Sequence, residues 1–373
     1  MSRKRANGEG SIYRRADGRW VASVSVDQGR RKYFYAQTRH EVGRKLATAI
    51  KARQDGLPLV PERQTVANYL QHWLETAKPT VRPRTFVRYE EYVRLHAIPE
   101  LGRLSLARLS PQHLQRLYAS RLEAGLSPAT VAHLHAVLHR ALGQAARWGL
   151  APRNVAELVT PPRSERREMS TLSPEQARAF LETAEGDRLE ALYVLALNTG
   201  MRQGELLALR WREVDLEGGS LQVTATLQRT SEGFTFSEPK TAHSRRQMAL
   251  TAPAVEALRS HRARQLEERL SMGAAWEDND LVFANEVGRP IEGTNLIRRW
   301  FYPLLERANL PHIRFHDLRH TAATLLLGRG VHPKIVSEML GHSQIAITLD
   351  LYSHVTPTMQ RQAVEALEAV LSG

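Results

Sequence analysis

The spacing of apolar residues changes period along this chain, and that change limits what it can fold into. Trp20-Val21-Ala22-Ser23-Val24-Ser25-Val26 alternates residue by residue, as a strand with one buried face does. Ala67-Asn68-Tyr69-Leu70-Gln71-His72-Trp73-Leu74 repeats at helical spacing instead. Leu221-Gln222-Val223-Thr224-Ala225-Thr226-Leu227 returns to alternation. No single uniform architecture accommodates all three, and 373 residues suffice for about two to three domains.

The first 56 residues read as a small three-stranded β-sheet plus a helix. Ser11-Ile12-Tyr13-Arg14 precedes the turn Ala16-Asp17-Gly18. The alternating run follows, then the turn Asp27-Gln28-Gly29 and a third strand at Lys32-Tyr33-Phe34-Tyr35. Thr38 caps a helix predicted to reach about Arg53. One face of the sheet is expected to bury Trp20, Ala22, Val24 and Val26 against that helix, with the aromatic residues serving as core rather than contacting bases. Residues 1–60 hold 14 Lys and Arg against 5 Asp and Glu, so they carry +9 of the chain's +13. A basic module at one end points to a polyanion, and Arg14, Arg15, Arg19, Arg31 and Lys32 are the candidates to face a DNA groove.

Leu57-Pro58-Leu59-Val60-Pro61 reads as a linker. Residues 64–160 are predicted to form an all-α helical bundle. The second helix is placed at residues 84–96. Ser110-Pro111 and Ser127-Pro128 each put an N-cap before a first-turn proline and open helices at residues 112–123 and 129–148. Arg84 is a candidate phosphate contact here. Pro161-Pro162-Arg163-Ser164-Glu165-Arg166-Arg167-Glu168 is a polar hinge, and residues 169–373 form the last unit, mainly α with a small antiparallel β-sheet. Zero cysteines exclude disulfides, thiol nucleophiles and cysteine-based zinc sites. No apolar run approaches the roughly 18 residues of a membrane span. Met1-Ser2-Arg3-Lys4-Arg5 has no apolar segment behind it, so no secretory signal is expected. The simplest expected location is a reducing cytoplasm.

The last unit carries the chemistry. Thr199-Gly200-Met201-Arg202-Gln203-Gly204-Glu205 begins as a turn and is expected to become an apolar helix, with Arg202 and Glu205 on one face. Glu205 fixes the guanidinium if Arg202 holds a phosphate; an ordinary local ion pair is the alternative. Phe234-Thr235-Phe236 is the expected hairpin partner of residues 221–227, and Lys240 sits near a hairpin tip before a third strand at residues 247–250. His316-Asp317-Leu318-Arg319-His320-Thr321 opens a helix with His316 and Arg319 on one face. His316 and His320 have metal-ligand spacing, but no third ligand accompanies them. Leu340-Gly341-His342 ends a helix at a glycine, and Tyr352-Ser353-His354 follows ten residues later.

In that order, Arg202, Lys240, His316-x-x-Arg319, His342 and Tyr352 resemble the tyrosine recombinase (phage integrase) family. The likeness covers essentially the whole chain: residues 1–56 are similar to the arm-binding domain of mobile-element integrases, 64–160 to the core-binding domain and 169–373 to the catalytic domain. It implies a site-specific DNA recombinase working through a 3′-phosphotyrosine intermediate. Arg202 and Arg319 would hold the non-bridging oxygens, His342 would add a hydrogen bond, and Tyr352 would be the nucleophile. His316 would accept its proton, Lys240 would protonate the leaving 5′-oxygen, and Glu205 would support the cluster. No cofactor and no metal are implied, consistent with the lack of a P-loop pattern. The implied partners are double-stranded DNA with core-type and arm-type sites and three further copies in a tetramer, with an excision factor or a DNA-bending host protein beside them; no membrane is implied. The amphipathic residues 358–371 would dock on a neighbouring protomer. A type IB topoisomerase-like nicking enzyme and a catalytically silent DNA-binding regulator on the same fold are the competing readings.

Overall fold

The structure is a computed structural model that describes residues 10–25, 31–54, 64–163, 169–230, 233–238, 245–342, 344–346, 348, 349, 368 and 371. It divides into two compact units, Met1–Arg166 and Arg167–Gly373.

In the first unit, β1 (Ser11–Arg14), β2 (Trp20–Ser25) and β3 (Arg31–Ala36) form an antiparallel sheet in that order. Helix α1 (Arg39–Gln54) starts where predicted, with Thr38 Oγ1 accepting the Glu41 N–H. Ala22, Val24 and Phe34 pack on Val42, Leu46 and Ala49 of α1. The expected inner face needs correction at two places. Trp20 is only half-buried, its ring under the Arg39 guanidinium at 5.9 Å, and Val26 lies outside the described residues. Val21 and Ser23 are buried too, on the opposite face, because β2 is the central strand and its neighbours shield both sides.

The helical part of this unit packs around a separate core. Helix α2 (Val66–Ala77) is capped by Thr65 and anchored by Tyr69, whose hydroxyl donates to Ala141 O at 2.5 Å. Helix α3 (Pro83–Glu91) does not stop at residue 96. It runs through a π-helical turn (Tyr92–Ala97) into α4 (Ile98–Leu101), with the Ile98 N–H bonded to Val93 O. Pro99 is the cause, since it has no N–H to donate and its ring needs room, which the wider π spacing supplies. Helix α5 (Pro111–Glu123) and helix α6 (Pro128–Arg147) begin at the two Ser-Pro signals. Ser127 Oγ accepts the Thr130 N–H at 3.2 Å.

The second unit contains α7 (Pro174–Ala184), α8 (Glu190–Thr199) and the single turn α9 (Gln203–Leu206). The expected apolar helix after Arg202 is therefore four residues long. Leu206, Leu207, Ala208 and Leu209 are all buried, which no one-sided helix allows, and Val282 N and Trp211 N tie the chain around Leu209 to residues 280–282 instead. The expected single strand at 221–227 is two strands in two sheets. β4 (Val214–Asp215), β5 (Ser220–Val223) and β8 (Arg246–Ala249) form one sheet, while β6 (Thr226–Thr230) pairs with β7 (Gly233–Ser237). The break falls at Thr224, whose hydroxyl is taken by the Glu213 carboxylate. Helix α10 (Ala252–Met272) follows. Helices α11 (Gly293–Asn295) and α12 (Tyr302–Arg307) are joined by a second π-helical turn, just ahead of Pro303. Helices α13 (Asp317–Gly328) and α14 (Pro333–Leu340) complete the described order. The fold class is the expected one, a small sheet with a helix, a helical bundle, and a mainly α unit with small antiparallel sheets. No helix among the described residues is long and apolar enough to cross a membrane.

Candidate active site

Helices α8 and α14 end in the same way. Each stops at a glycine in the left-handed region, Gly200 at φ 60° and Gly341 at φ 65°. The two ends touch, because a Cβ on Gly200 would collide with Leu340 Cδ2. Their carbonyls point at guanidinium groups. Arg319 donates from Nη1 to Gly200 O at 2.7 Å and from Nη2 to Leu340 O at 2.6 Å. Arg202 Nη2 donates to Gly341 O at 3.0 Å. The partial negative charge at helix C-termini thus holds two cations near one another.

Glu205 lies beneath Arg202, 3% exposed. Its carboxylate accepts the Arg202 backbone N–H at 3.0 Å and Arg202 Nη1 at 2.8 Å. It also accepts Arg246 Nη2 at 3.0 Å, while Arg246 Nε donates to Met339 O at 2.7 Å. The Arg202 side chain remains 37% exposed and can be reached by a ligand. Arg319 is 2% exposed and spends two of its five N–H donors on the helix ends.

His316 immediately precedes α13, and its ring stands perpendicular to that of His320 with centroids 4.9 Å apart. His342 follows Gly341, with Nδ1 2.8 Å from the hydroxyl of buried Thr348. Burial first, then the charges of Arg319 and Arg202 and the neighbouring imidazoles, pulls His342 down to about 3. Burial, then His320, Arg319 and Arg202, pulls His316 down to about 4. Arg319 is lowered to about 9, chiefly by burial and next by Arg202. Glu205 moves the other way for a buried acid: although burial raises it, Arg246 and Arg202 hold its carboxyl below the usual range. His316, His342 and Arg319 are each pushed toward neutrality, first by desolvation and then by their cationic neighbours. Such a cluster gains stability from an incoming anion.

Arg202, Glu205, His316, Arg319 and His342 therefore gather in one place. Lys240 and Tyr352 lie outside the described residues, as do residues 358–371 apart from Glu368 and Leu371. Among the described residues no group of three or more His, Asp or Glu is placed to hold a metal ion. Arg246 and Thr348 escaped the sequence reading. Alternation back from buried Met248 puts Arg246 on the core side of β8, where a guanidinium needs a carboxylate, and that was the available signal. The basic residues of the first unit do not share one face. Arg14, Arg15 and Arg19 surround the β1–β2 turn, Arg31 and Lys32 sit at opposite parities on β3, and Arg84 is exposed on α3. The expectation that the aromatics of the small sheet are core holds for Phe34 and not for Tyr13, Tyr33 and Tyr35. These three share the face away from α1 and are 46%, 46% and 47% exposed. Pairing opposite Val21 and Ser23, rather than Ala22, decides their side.

The sequence profile of the Phage integrase family matches residues 170–359, and that of the Phage integrase N-terminal SAM-like domain matches residues 65–122. The chain belongs to the phage integrase family. It is a tyrosine-type site-specific recombinase, an enzyme that breaks and rejoins DNA, and the topoisomerase-like and silent-regulator readings are not favoured. The recombinase is 34% identical to a tyrosine recombinase XerC-like protein of Caldanaerobacter subterraneus subsp. tengcongensis, over 94% of this chain and 96% of that one. It is 33% identical to an integrase of Streptomyces ambofaciens, over 98% and 97%. Among solved structures, the Tn1549 transposon integrase in complex with a circular intermediate DNA superposes with a TM-score of 0.68 at 22% identity, covering 81% of this chain and 99% of that one. A lambda integrase dimer bound to a core site gives 0.60 at 17% identity, covering 94% and 96%.

Proposed function

We propose that this recombinase integrates or excises a mobile element by cutting each DNA strand through a 3′-phosphotyrosine link to Tyr352. The carrying observation is the convergence of the Arg202 and Arg319 guanidiniums on the paired ends of α8 and α14, with His342 on the next residue. A phosphodiester brings one negative charge, and deprotonating the attacking phenol adds a second in the pentavalent transition state. Positioned cations stabilise that added charge.

In the forward step the Tyr352 oxygen bonds to phosphorus while the bond to the 5′-oxygen breaks. His316, neutral at pH 7 because it titrates near 4, accepts the phenolic proton. Lys240 gives a proton to the leaving 5′-oxygen. Arg202 and Arg319 hold the non-bridging oxygens, and His342 donates to the same oxygens. Glu205 orients Arg202. The reverse step, with a 5′-hydroxyl from the partner strand, frees Tyr352 and reseals DNA without ATP, because the ester bond energy is kept in the link.

Residues 1–56 are assigned to arm-type sites, 64–160 to core-type sites and 169–373 to catalysis, with residues 358–371 docking on a neighbour in a tetramer on DNA. An excision factor or a DNA-bending host protein would set the direction. Arg14, Arg15, Arg19, Arg31, Lys32 and Arg84 are the proposed phosphate contacts, and the exposed Tyr13, Tyr33 and Tyr35 add an aromatic face to the first module.

The test is a suicide substrate carrying a nick near the cleavage site. Wild-type protein should accumulate a covalent adduct, and Tyr352→Phe should bind the same DNA without forming one. An adduct from Tyr352→Phe would remove Tyr352 as nucleophile.

A further inference from the structure

We infer that Arg246 is a positioning residue of the reaction: it satisfies the Glu205 carboxylate so that Arg202 keeps its charge for the scissile phosphate. The inference rests on the proposed reading of Arg202 as a phosphate ligand.

The charge balance motivates it. Glu205 is 3% exposed and touches Arg202 at two points, the backbone N–H and Nη1. A carboxylate and a guanidinium this close form a neutral pair, which offers little to an incoming anion. Arg246 changes the sum. Its side chain is 7% exposed, and Nη2 lies 3.0 Å from Glu205 Oε2, the oxygen that also accepts the Arg202 N–H. Three guanidiniums less one carboxylate leave the cluster of Arg202, Arg246, Arg319 and Glu205 at +2. With the phenolic proton on His316 and Lys240 committed to the 5′-oxygen, this +2 is what the arginine cluster itself sets against the two negative charges of a pentavalent phosphorane. Without Arg246 the cluster falls to +1, and the deficit lies beside Arg202.

Geometry places Arg246 as a link as well as a counter-charge. It opens β8, where alternation turns it to the same side as buried Met248. Its Nε donates to Met339 O, two residues before Gly341, whose carbonyl accepts Arg202. One side chain therefore bridges β8, the start of α9 and the end of α14. Of the charged neighbours that hold the Glu205 carboxyl low, Arg246 contributes more than Arg202. A buried acid deprived of that partner would draw Arg202 inward and away from a ligand.

The experiment measures single-turnover adduct formation on the nicked suicide substrate, with substrate affinity and thermal melting recorded in parallel, for Arg246→Gln, Arg246→Lys, Glu205→Gln and the double variant Glu205→Gln/Arg246→Gln. Arg246→Gln should slow cleavage about a hundredfold while changing DNA affinity by less than about threefold. Adding Glu205→Gln should win back about tenfold, because Arg202 no longer faces an uncompensated carboxylate. Arg246→Lys should fall between wild type and Arg246→Gln, since an ammonium supplies the charge without bridging to Met339, and it serves if Arg246→Gln does not fold. A brace with no electrostatic role predicts losses that add, so a double variant as slow as or slower than Arg246→Gln overturns the inference. So does an Arg246→Lys rate equal to that of Arg246→Gln. Arg202→Ala separates this from the underlying reading. If Arg202→Ala forms adduct at the wild-type rate, the phosphate role of Arg202 fails and the inference with it. If Arg202→Ala is inactive and the double variant shows no recovery, only the role of Arg246 fails.

Discussion

His342 Nδ1 and the Thr348 hydroxyl lie 2.8 Å apart, and Thr348 is fully buried. With the hydroxyl donating, Nδ1 is occupied as an acceptor and Nε2 carries the ring proton. A neutral imidazole then still presents one N–H, which is the form needed by a group held down to about 3. Thr348→Val keeps the volume and removes the hydroxyl, so it should slow adduct formation about tenfold, the worth of one hydrogen bond to a reacting group. Thr348→Ser should retain most of the rate. Equal rates for the valine and serine variants, measured in single turnovers, would discount the contact.

Arg319 has a structural task that lysine cannot perform. Its two terminal nitrogens each hold a backbone carbonyl, Gly200 O and Leu340 O, on different helices. An ammonium reaches one of these and leaves the other buried and unpaired. Arg319→Lys should therefore lower stability by about 2–4 kcal/mol as well as abolish cleavage. Denaturant unfolding checks the first part. An unchanged midpoint would mean that water replaces the guanidinium at the helix ends.

Gly200 is required twice over. Its φ of 60° disfavours any side chain, and the space a Cβ would fill belongs to Leu340 Cδ2. Gly200→Ala should cost at least about 1–3 kcal/mol from backbone strain alone and should shift the end of α14 that carries His342. Gly125→Ala is the control, since its φ is 89° and no atom lies within 4 Å of the added carbon. The Gly200 variant should lose both stability and cleavage, and the Gly125 variant only stability. Loss of cleavage in the control would argue that backbone strain by itself, without a clash at Leu340, is enough to disable the enzyme.

How much of this was legible beforehand follows from which interactions are local. The small sheet and its helix could be read because each signal is short-range: alternation in β2, turns on either side, and Thr38 capping α1. The Ser-Pro starts of α5 and α6 are local too. Arg202, Glu205, His316, Arg319 and His342 could be picked out because their order matches a family pattern. What failed depends on contacts between distant segments. The chain after α9 abandons a helix to pair with residues 280–282, and one alternating run is shared between two sheets because Thr224 binds Glu213. Arg246 matters through Glu205 and Met339, 41 and 93 residues away, and nothing in its neighbourhood announces either partner.

The two active-site imidazoles make folding acid-sensitive in a defined window. A free histidine takes up its proton near pH 6.5, whereas His316 titrates near 4 and His342 near 3 in the folded protein. Between those values and 6.5 the unfolded chain binds protons that the folded chain does not. Stability therefore rises with pH across that range, is complete above about 6.5, and is lost as pH falls toward 4. His261, buried against Val282 O, shifts in the same direction, so the wild-type melting curve contains other contributions. Comparing variants isolates the site. His316→Asn and His342→Gln each remove one group whose proton uptake differs between the two states. Each should show a smaller fall in melting temperature from pH 7 to pH 5 than wild type. Parallel falls for all three proteins would show that neither ring is held neutral by the cluster of Arg202 and Arg319.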